Sequence, residues 1–222
     1  MKYYPVCLNI KGRQCLVIGG GSVGTRKAET LFRCGASVTV ISPDISDGLQ
    51  SMAGANKIVL EIRDYDPQDL EGMFLVFCAT NNMSLNQRIA GDAEQRGILC
   101  NSADLPEESD FILPSLVERG DLTIAISTAG TSPAFAKKLR KDLSEQFGQE
   151  YADFLALMGI IRKKLLAEAH DPQAHKRLFE QLIGSKLLEM LKEKNQEAVH
   201  DLLQAVLGPG FSHEDLYGHK EQ

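Results

Sequence analysis

The stretch QCLVIGGGSVG at residues 14–24 constrains the fold more than any other part of the 222-residue chain. An apolar run entering a glycine cluster reads as a buried parallel strand over 14–19. Residues 22–34 then read as a helix with Val23, Ala28, Leu31 and Phe32 on one apolar side, ended by Gly35. Gly19, Gly21 and Gly24 fit G-x-G-x-x-G where a strand hands over to a helix. Gly19 permits the tight turn, Gly21 lets a pyrophosphate approach the backbone, and Gly24 allows close helix–strand packing. Ser22 and Val23 open the helix, whose N–H groups and positive dipole end suit phosphate. A glycine turn without a ligand is the plainer alternative, but the strand before and the helix after favour a dinucleotide site.

The next elements repeat the α/β alternation. Residues 36–42 form a β-branched strand closed by Pro43, and residues 57–62 a third strand in which Ile58, Leu60 and Ile62 alternate with polar neighbours. The stretch between them reads as a loop. Residues 74–79 form a fourth strand, and Asn82 or Ser84 caps a helix running to about Arg96, stopped by Gly97. A fifth strand starts at 98–101. This order predicts a Rossmann-type parallel sheet covered by helices. Beyond Asp104-Leu105-Pro106 the pattern changes. Residues 111–114 and 121–127 look like an antiparallel pair, and Ser132-Pro133 opens a helix with Ser at the cap and Pro in the first turn. From Gln149 onward Phe154, Met158, Ile161 and Leu165, then Leu178, Phe179, Leu182 and Ile183, recur at helical spacing. The expected organisation is a Rossmann domain over 1–113, a small α+β dimerisation region over 114–148 and a helical C-terminal domain over 149–222.

A net charge of −6 gives no reason to expect a nucleic-acid partner. No signal core opens the chain and no apolar run reaches membrane-span length, so a cytoplasmic protein is expected. Cys7, Cys15, Cys34, Cys78 and Cys100 match no zinc spacing and read as reduced thiols, with Cys15, Cys78 and Cys100 in or beside strands. No resident metal site is expected. No histidine precedes His170, so an acid or base near the nucleotide is expected to be another residue type. Near the end of the second strand, Ser42 would not repel a 2′-phosphate, while Asp44 either reaches the adenosine ribose or only caps the next turn. On balance NAD is favoured over NADP. Thr80 and Asn81 follow the fourth strand at the sheet's ligand edge, where a cofactor-contacting loop and a simple helix cap both fit.

Function needs more than the fingerprint. Asn101-Ser102-Ala103-Asp104 followed by FILP at 111–114, and STAGTSP at 127–133, join YPVCLNIKGRQCLVIGGGSVGTRKAETL and FCATNN. Together these resemble the precorrin-2 dehydrogenase family, which includes the amino-terminal module of sirohaem synthases. The resemblance runs from Tyr4 to about Leu143 and weakens in the helical tail. It implies NAD-dependent oxidation of precorrin-2 to sirohydrochlorin, with ferrous iron insertion to sirohaem in some members, and a homodimer. It also implies that Asp104 is the acid/base for both reactions. A dehydrogenation that removes a hydride and a proton needs a base, which agrees, although an aspartate before Leu105-Pro106 also suits a turn. A polycarboxylate substrate needs anion-binding groups. Ser127, Thr128, Thr131 and Ser132 offer hydroxyls at a helix start, and Thr128 stands where relatives often carry serine. Lys137, Lys138, Arg140 and Lys141 add charge or form a solvated face. Nothing resembles the methyltransferase half of larger sirohaem synthases, so methylation is not expected. A non-catalytic nucleotide-sensing Rossmann module is the alternative, disfavoured by STAGTSP and by Ser42.

Overall fold

A computed structural model describes residues 2–102, 109–167, 172–211 and 216. The chain divides into two compact units, Met1–Leu113 and Pro114–Gln222.

The first unit is built on β1 (Gln14–Gly20), α1 (Ser22–Arg33), β2 (Ser37–Ile45), α2 (Asp47–Gly54), β3 (Val59–Glu61), β4 (Leu75–Cys78), α3 (Met83–Gln95) and β5 (Leu99–Ser102). The five strands form one parallel sheet in the order β3-β2-β1-β4-β5. Crossing over after β3 puts a switch point between β1 and β4, where open α/β sheets bind ligands at their carboxyl ends. Because both faces are covered, β1 is buried from Cys15 to Gly20. One core joins Cys15, Val17, Ala28, Leu31, Val38, Val40, Leu49 and Phe77; the other joins Leu16, Ile18, Ile41, Val76, Ile89, Ala93 and Cys100. Each fully buried aliphatic side chain contributes roughly 1.5–3 kcal/mol. Cys15, Cys78 and Cys100 are buried free thiols, and burial pushes Cys15 up to about 11.

Several local expectations shift. Pro43 does not close β2. Ile18 pairs with Ile41 and Gly20 with Ile45, so Ser42, Pro43 and Asp44 bulge opposite Gly19, where a missing N–H costs no ladder bond. The stretch read as a loop contains α2, capped by Ser46, whose hydroxyl accepts from Leu49 N. Phe32 is exposed, because the buried stripe of α1 runs Gly24, Ala28, Leu31 and leaves position 32 at its rim. The alternating third strand shrinks to β3, leaving Ile62 exposed. Residues 111–113 form no strand.

Lys27 extends from α1 to place its ammonium 5.0 Å from the centre of the Phe77 ring. Burial, aided by Arg26, lowers its pKa to about 8. Over the interval from about 8 to the ordinary 10.5 the unfolded chain therefore holds more protons than the folded one, and stability rises with pH. Subtracting the thermal-midpoint profile of Lys27→Met from that of the unaltered chain is expected to leave this rise. A flat difference across that range would remove the assignment.

The second unit pairs β6 (Ser115–Arg119) with β7 (Leu122–Ile126) antiparallel. The pair lies C-terminal to the expected first strand, since residues 111–113 belong to the first unit. Then follow α4 (Pro133–Gln146), α5 (Glu150–Ala167), α6 (Pro172–Ile183), α7 (Leu187–Lys192) and α8 (Gln196–Leu207). Leu157, Met158, Ile161, Leu165, Leu182, Leu187, Val199 and Leu203 build the helical core. Ile183, expected inside, is exposed because Leu182 takes the core position at the end of α6. His175 is buried and His200 half-buried, while His170, His213 and His219 lie outside the described residues. Among the described residues no helix is long and apolar enough to cross a membrane.

Candidate functional site

The glycine cluster carries three different packing constraints. Gly19 has φ +122°, and a Cβ there would strike the Ala79 carbonyl at the end of β4. A Cβ on Gly24 would strike the Gly19 carbonyl, so the helix closes tightly over the turn. Gly20, which the fingerprint leaves unassigned, sits under the Asp44 carbonyl of the β2 bulge. Gly21 differs, because a Cβ there meets nothing within 4 Å. It is the N-cap of α1 and makes no side-chain cap. The turn is thus a backbone cradle open at Gly21, with the first N–H groups of α1, at Ser22 and Val23, facing out from an uncapped helix end. That is the shape a pyrophosphate requires.

Neighbouring loops brace this cradle through residues that sequence motifs did not single out. Ser46 N donates to Gly20 O at 3.0 Å, and the Thr25 and Ser46 hydroxyls are 2.8 Å apart. Thr25 Oγ1 also lies 2.9 Å from Gly21 O, to which it can donate. The end of β2 is therefore tied to the start of α1. The Ser46-Asp47 pair ahead of Leu49 and Met52 was a legible helix-cap signal; Thr25 had none. Ser42 is buried and its hydroxyl donates to Asp44 O at 2.7 Å, so it shapes the bulge. Asp44 is exposed at the sheet's ligand edge.

On the other side of the switch point, Thr80 Oγ1 donates to Asn86 Oδ1 at 2.6 Å and accepts from Asn82 N at 3.1 Å. Asn86 is fully buried and returns a bond from Nδ2 to Thr80 O at 3.0 Å. This network fixes the β4–α3 corner and leaves Asn81 exposed at its tip. Asn82 is the helix cap, accepting from Leu85 N at 3.1 Å. Gly19, Gly21, Ser22, Val23, Gly24, Ser42, Asp44, Thr80 and Asn81 thus gather along one edge of the first unit's sheet. Asp104, the expected base, lies outside the described residues.

In the second unit STAGTSP folds into consecutive turns ahead of α4. Ser127 Oγ accepts from Ala129 N at 3.1 Å, and Thr128 Oγ1 accepts from Ser132 N at 3.2 Å. Thr131 N donates to Thr128 O at 2.9 Å, and Ser132 Oγ caps the helix by accepting from Phe135 N at 3.3 Å. The Thr128 hydroxyl thus performs the local hydrogen-bonding task available to serine. The four predicted hydroxyl residues share one loop, with Ser127 and Thr131 exposed. Lys137, Lys138, Arg140 and Lys141 are exposed on α4, where Lys138 pairs with Asp142 at 3.0 Å. Ala129 holds φ 52°, in the left-handed region that a Cβ disfavours. Ala129→Gly is expected to stabilise the protein by ~1 kcal/mol. Chemical denaturation would read this as a higher midpoint at unchanged slope; a lower midpoint would contradict it.

Residues 6–115 match an NAD(P)-binding family model, and residues 119–146 match the central region of sirohaem biosynthesis proteins. Siroheme synthase of Nitrosococcus oceani is 34% identical over 211 residues, covering 95% of this chain and 45% of the relative. Siroheme synthase 2 of Pectobacterium atrosepticum is 32% identical over 203 residues, covering 91% and 44%. The chain spans under half the length of these curated relatives. The solved structure of SirC, a precorrin-2 dehydrogenase, aligns with a TM-score of 0.75 at 25% identity, over 92% of this chain and 99% of that one. The backbone cradle at the β1–α1 turn, the β6–β7–α4 segment and these likenesses coincide, and the chain belongs to the family of precorrin-2 dehydrogenases and sirohaem synthase amino-terminal modules.

Proposed function

We propose that this chain oxidises precorrin-2 to sirohydrochlorin in sirohaem biosynthesis, with NAD as cofactor and Asp104 as base. The observation carrying this reading is the braced, open-ended cradle at Gly21 in a chain that aligns with a precorrin-2 dehydrogenase over nearly its whole length. A bound nicotinamide supplies the hydride acceptor. The protein's part is to bind, orient and move a proton. The α1 N-terminus holds the pyrophosphate. Exposed Asp44 reads the adenosine ribose, and its negative charge there favours NAD over a 2′-phosphorylated cofactor. Asn81, at the tip of a corner stiffened by buried Asn86, meets the cofactor beyond β4. Asp104 takes the proton that leaves the macrocycle as hydride departs, then releases it to water. Ser127, Thr128, Thr131 and Ser132, at the N-terminus of α4, receive substrate carboxylates.

The reading includes a cytoplasmic homodimer formed through residues 114–148. A two-stranded sheet is marginal alone, and among the described residues no further strand pairs with β6–β7, while Leu116 on β6 and Phe135 on α4 are exposed. The test is an anaerobic incubation of the protein with precorrin-2 and NAD, following sirohydrochlorin absorbance, with sedimentation of the same sample. NAD-dependent sirohydrochlorin from a dimer is expected. No NAD-dependent change would overturn the dehydrogenase reading and favour the nucleotide-sensing module. Adding ferrous iron as a second substrate then asks whether the same base also serves metal insertion, read as sirohaem formed faster than without protein.

A further inference from the structure

Lys27 is half-buried on α1, about one turn past Gly24. Its ammonium rests 5.0 Å from the centre of the Phe77 ring. Phe77 is buried near the end of β4, in register with Asn101 near the end of β5. Phe111 meets the same ring edge-on, with centroids 5.6 Å apart and planes at 81°. Among the described residues no carboxylate pairs with Lys27. The charge that acts on it is that of Arg26, which repels, and burial with Arg26 already holds the ammonium below its ordinary value.

Covering Phe77 needs only the aliphatic stem, which methionine or leucine would supply without an unpaired charge. A ring face replaces only part of the water that an ammonium loses on burial. A carboxylate arriving from solvent would supply the rest as a charge-assisted hydrogen bond. The position suits such an arrival. α1 begins at the carboxyl edge of the sheet, and helical side chains lean toward the N-terminus, so the Lys27 stem leans toward the glycine turn. In the strand order β3-β2-β1-β4-β5 its contact with Phe77 puts the ammonium on the β4 side of that turn, away from Asp44 on β2 and on the side of Asn81.

We infer that Lys27 is a substrate-binding residue whose ammonium receives one carboxylate of the macrocycle on the β4 side of the cofactor turn. This rests on the reading of precorrin-2 as substrate. The experiment measures anaerobic initial rates against precorrin-2 at saturating NAD for the unaltered chain, Lys27→Met and Lys27→Arg, with NADH affinity by fluorescence on the same samples. Methionine keeps an unbranched stem over Phe77 and removes the charge. Lys27→Met is expected to raise KM for precorrin-2 on the order of 10-fold or more, the range of one hydrogen bond to a charged group. Its kcat should change far less, since the contact binds substrate and transition state alike. NADH affinity should hold, which also shows that the variant is folded. Lys27→Arg, which keeps a cationic donor, should restore most of the lost affinity. Should Lys27→Met not fold, Lys27→Gln carries the same comparison. An unchanged KM for precorrin-2 in Lys27→Met would overturn the assignment. So would weakened NADH binding at unchanged KM, which would give the ammonium to the cofactor, or an equal loss in Lys27→Arg, which would make Lys27 a packing residue. Failure of the dehydrogenase reading shows differently, as no sirohydrochlorin from the unaltered chain.

Discussion

Replacing Asp104 with alanine is expected to lower the dehydrogenation rate by roughly 10²–10⁴-fold, the range a positioned general base contributes. Dinucleotide affinity and thermal midpoint should hold, because the cradle for the cofactor is built from β1, α1 and their bracing loops, none of which uses residue 104. The discriminating measurement is kcat with saturating NAD, alongside NADH binding followed by its fluorescence. A normal rate would return Asp104 to the role of a turn residue before Leu105-Pro106. A lost rate with lost NADH binding would make it a structural residue instead.

A contrast between two glycines in the same turn is the second large effect expected. Gly24→Ala drives a Cβ into the Gly19 carbonyl, and a backbone–backbone collision cannot be relieved by choosing another rotamer. The cost should be about 1–3 kcal/mol, comparable to other overpacked sites. For a chain of this size that lowers the thermal midpoint by on the order of 5 °C. Dinucleotide affinity should fall with it. Gly21→Ala meets open space and has φ −76°, which alanine accepts, so the midpoint should stay put. Its Cβ would instead occupy the approach of the pyrophosphate and weaken NADH binding alone. Equal destabilisation by both replacements, or binding unaffected by Gly21→Ala, would contradict the division of labour within the turn.

Much of the first unit could be read directly because its signals are local. A strand entering a glycine turn, a helix begun at Ser22 and the Asn82 cap, like the Ser132-Pro133 helix start of the second unit, each depend on residues within about one helical turn of one another. Backbone sterics and capping act over that distance regardless of the rest of the chain. The Phe111–Pro114 stretch shows where this stops. Its short apolar run suits a strand, but Asn101 and the flanking Asp110 tie it to β5 through side-chain bonds instead. α2 was missed for a different reason. Only Leu49 and Met52 are buried in it, too few for a helical period to stand out, although Ser46 and Asp47 marked its start.

The sequence by itself determined the type of sheet, the dinucleotide turn, the helix start at Ser132-Pro133 and the family, because these rest on short residue patterns with a physical requirement at each position. Only the tertiary structure decided how that turn is held. The bulge of Ser42–Asp44 over Gly20, the Thr25–Ser46 brace, buried Asn86 beneath Thr80 and the Ser102–Ser109 bond all join groups on separate stretches of chain. Polar side chains such as these carry no periodic signal. Which of them meets which depends on the strand order and register of the folded sheet, and a buried polar group must find its partner there or leave a costly unmet hydrogen bond.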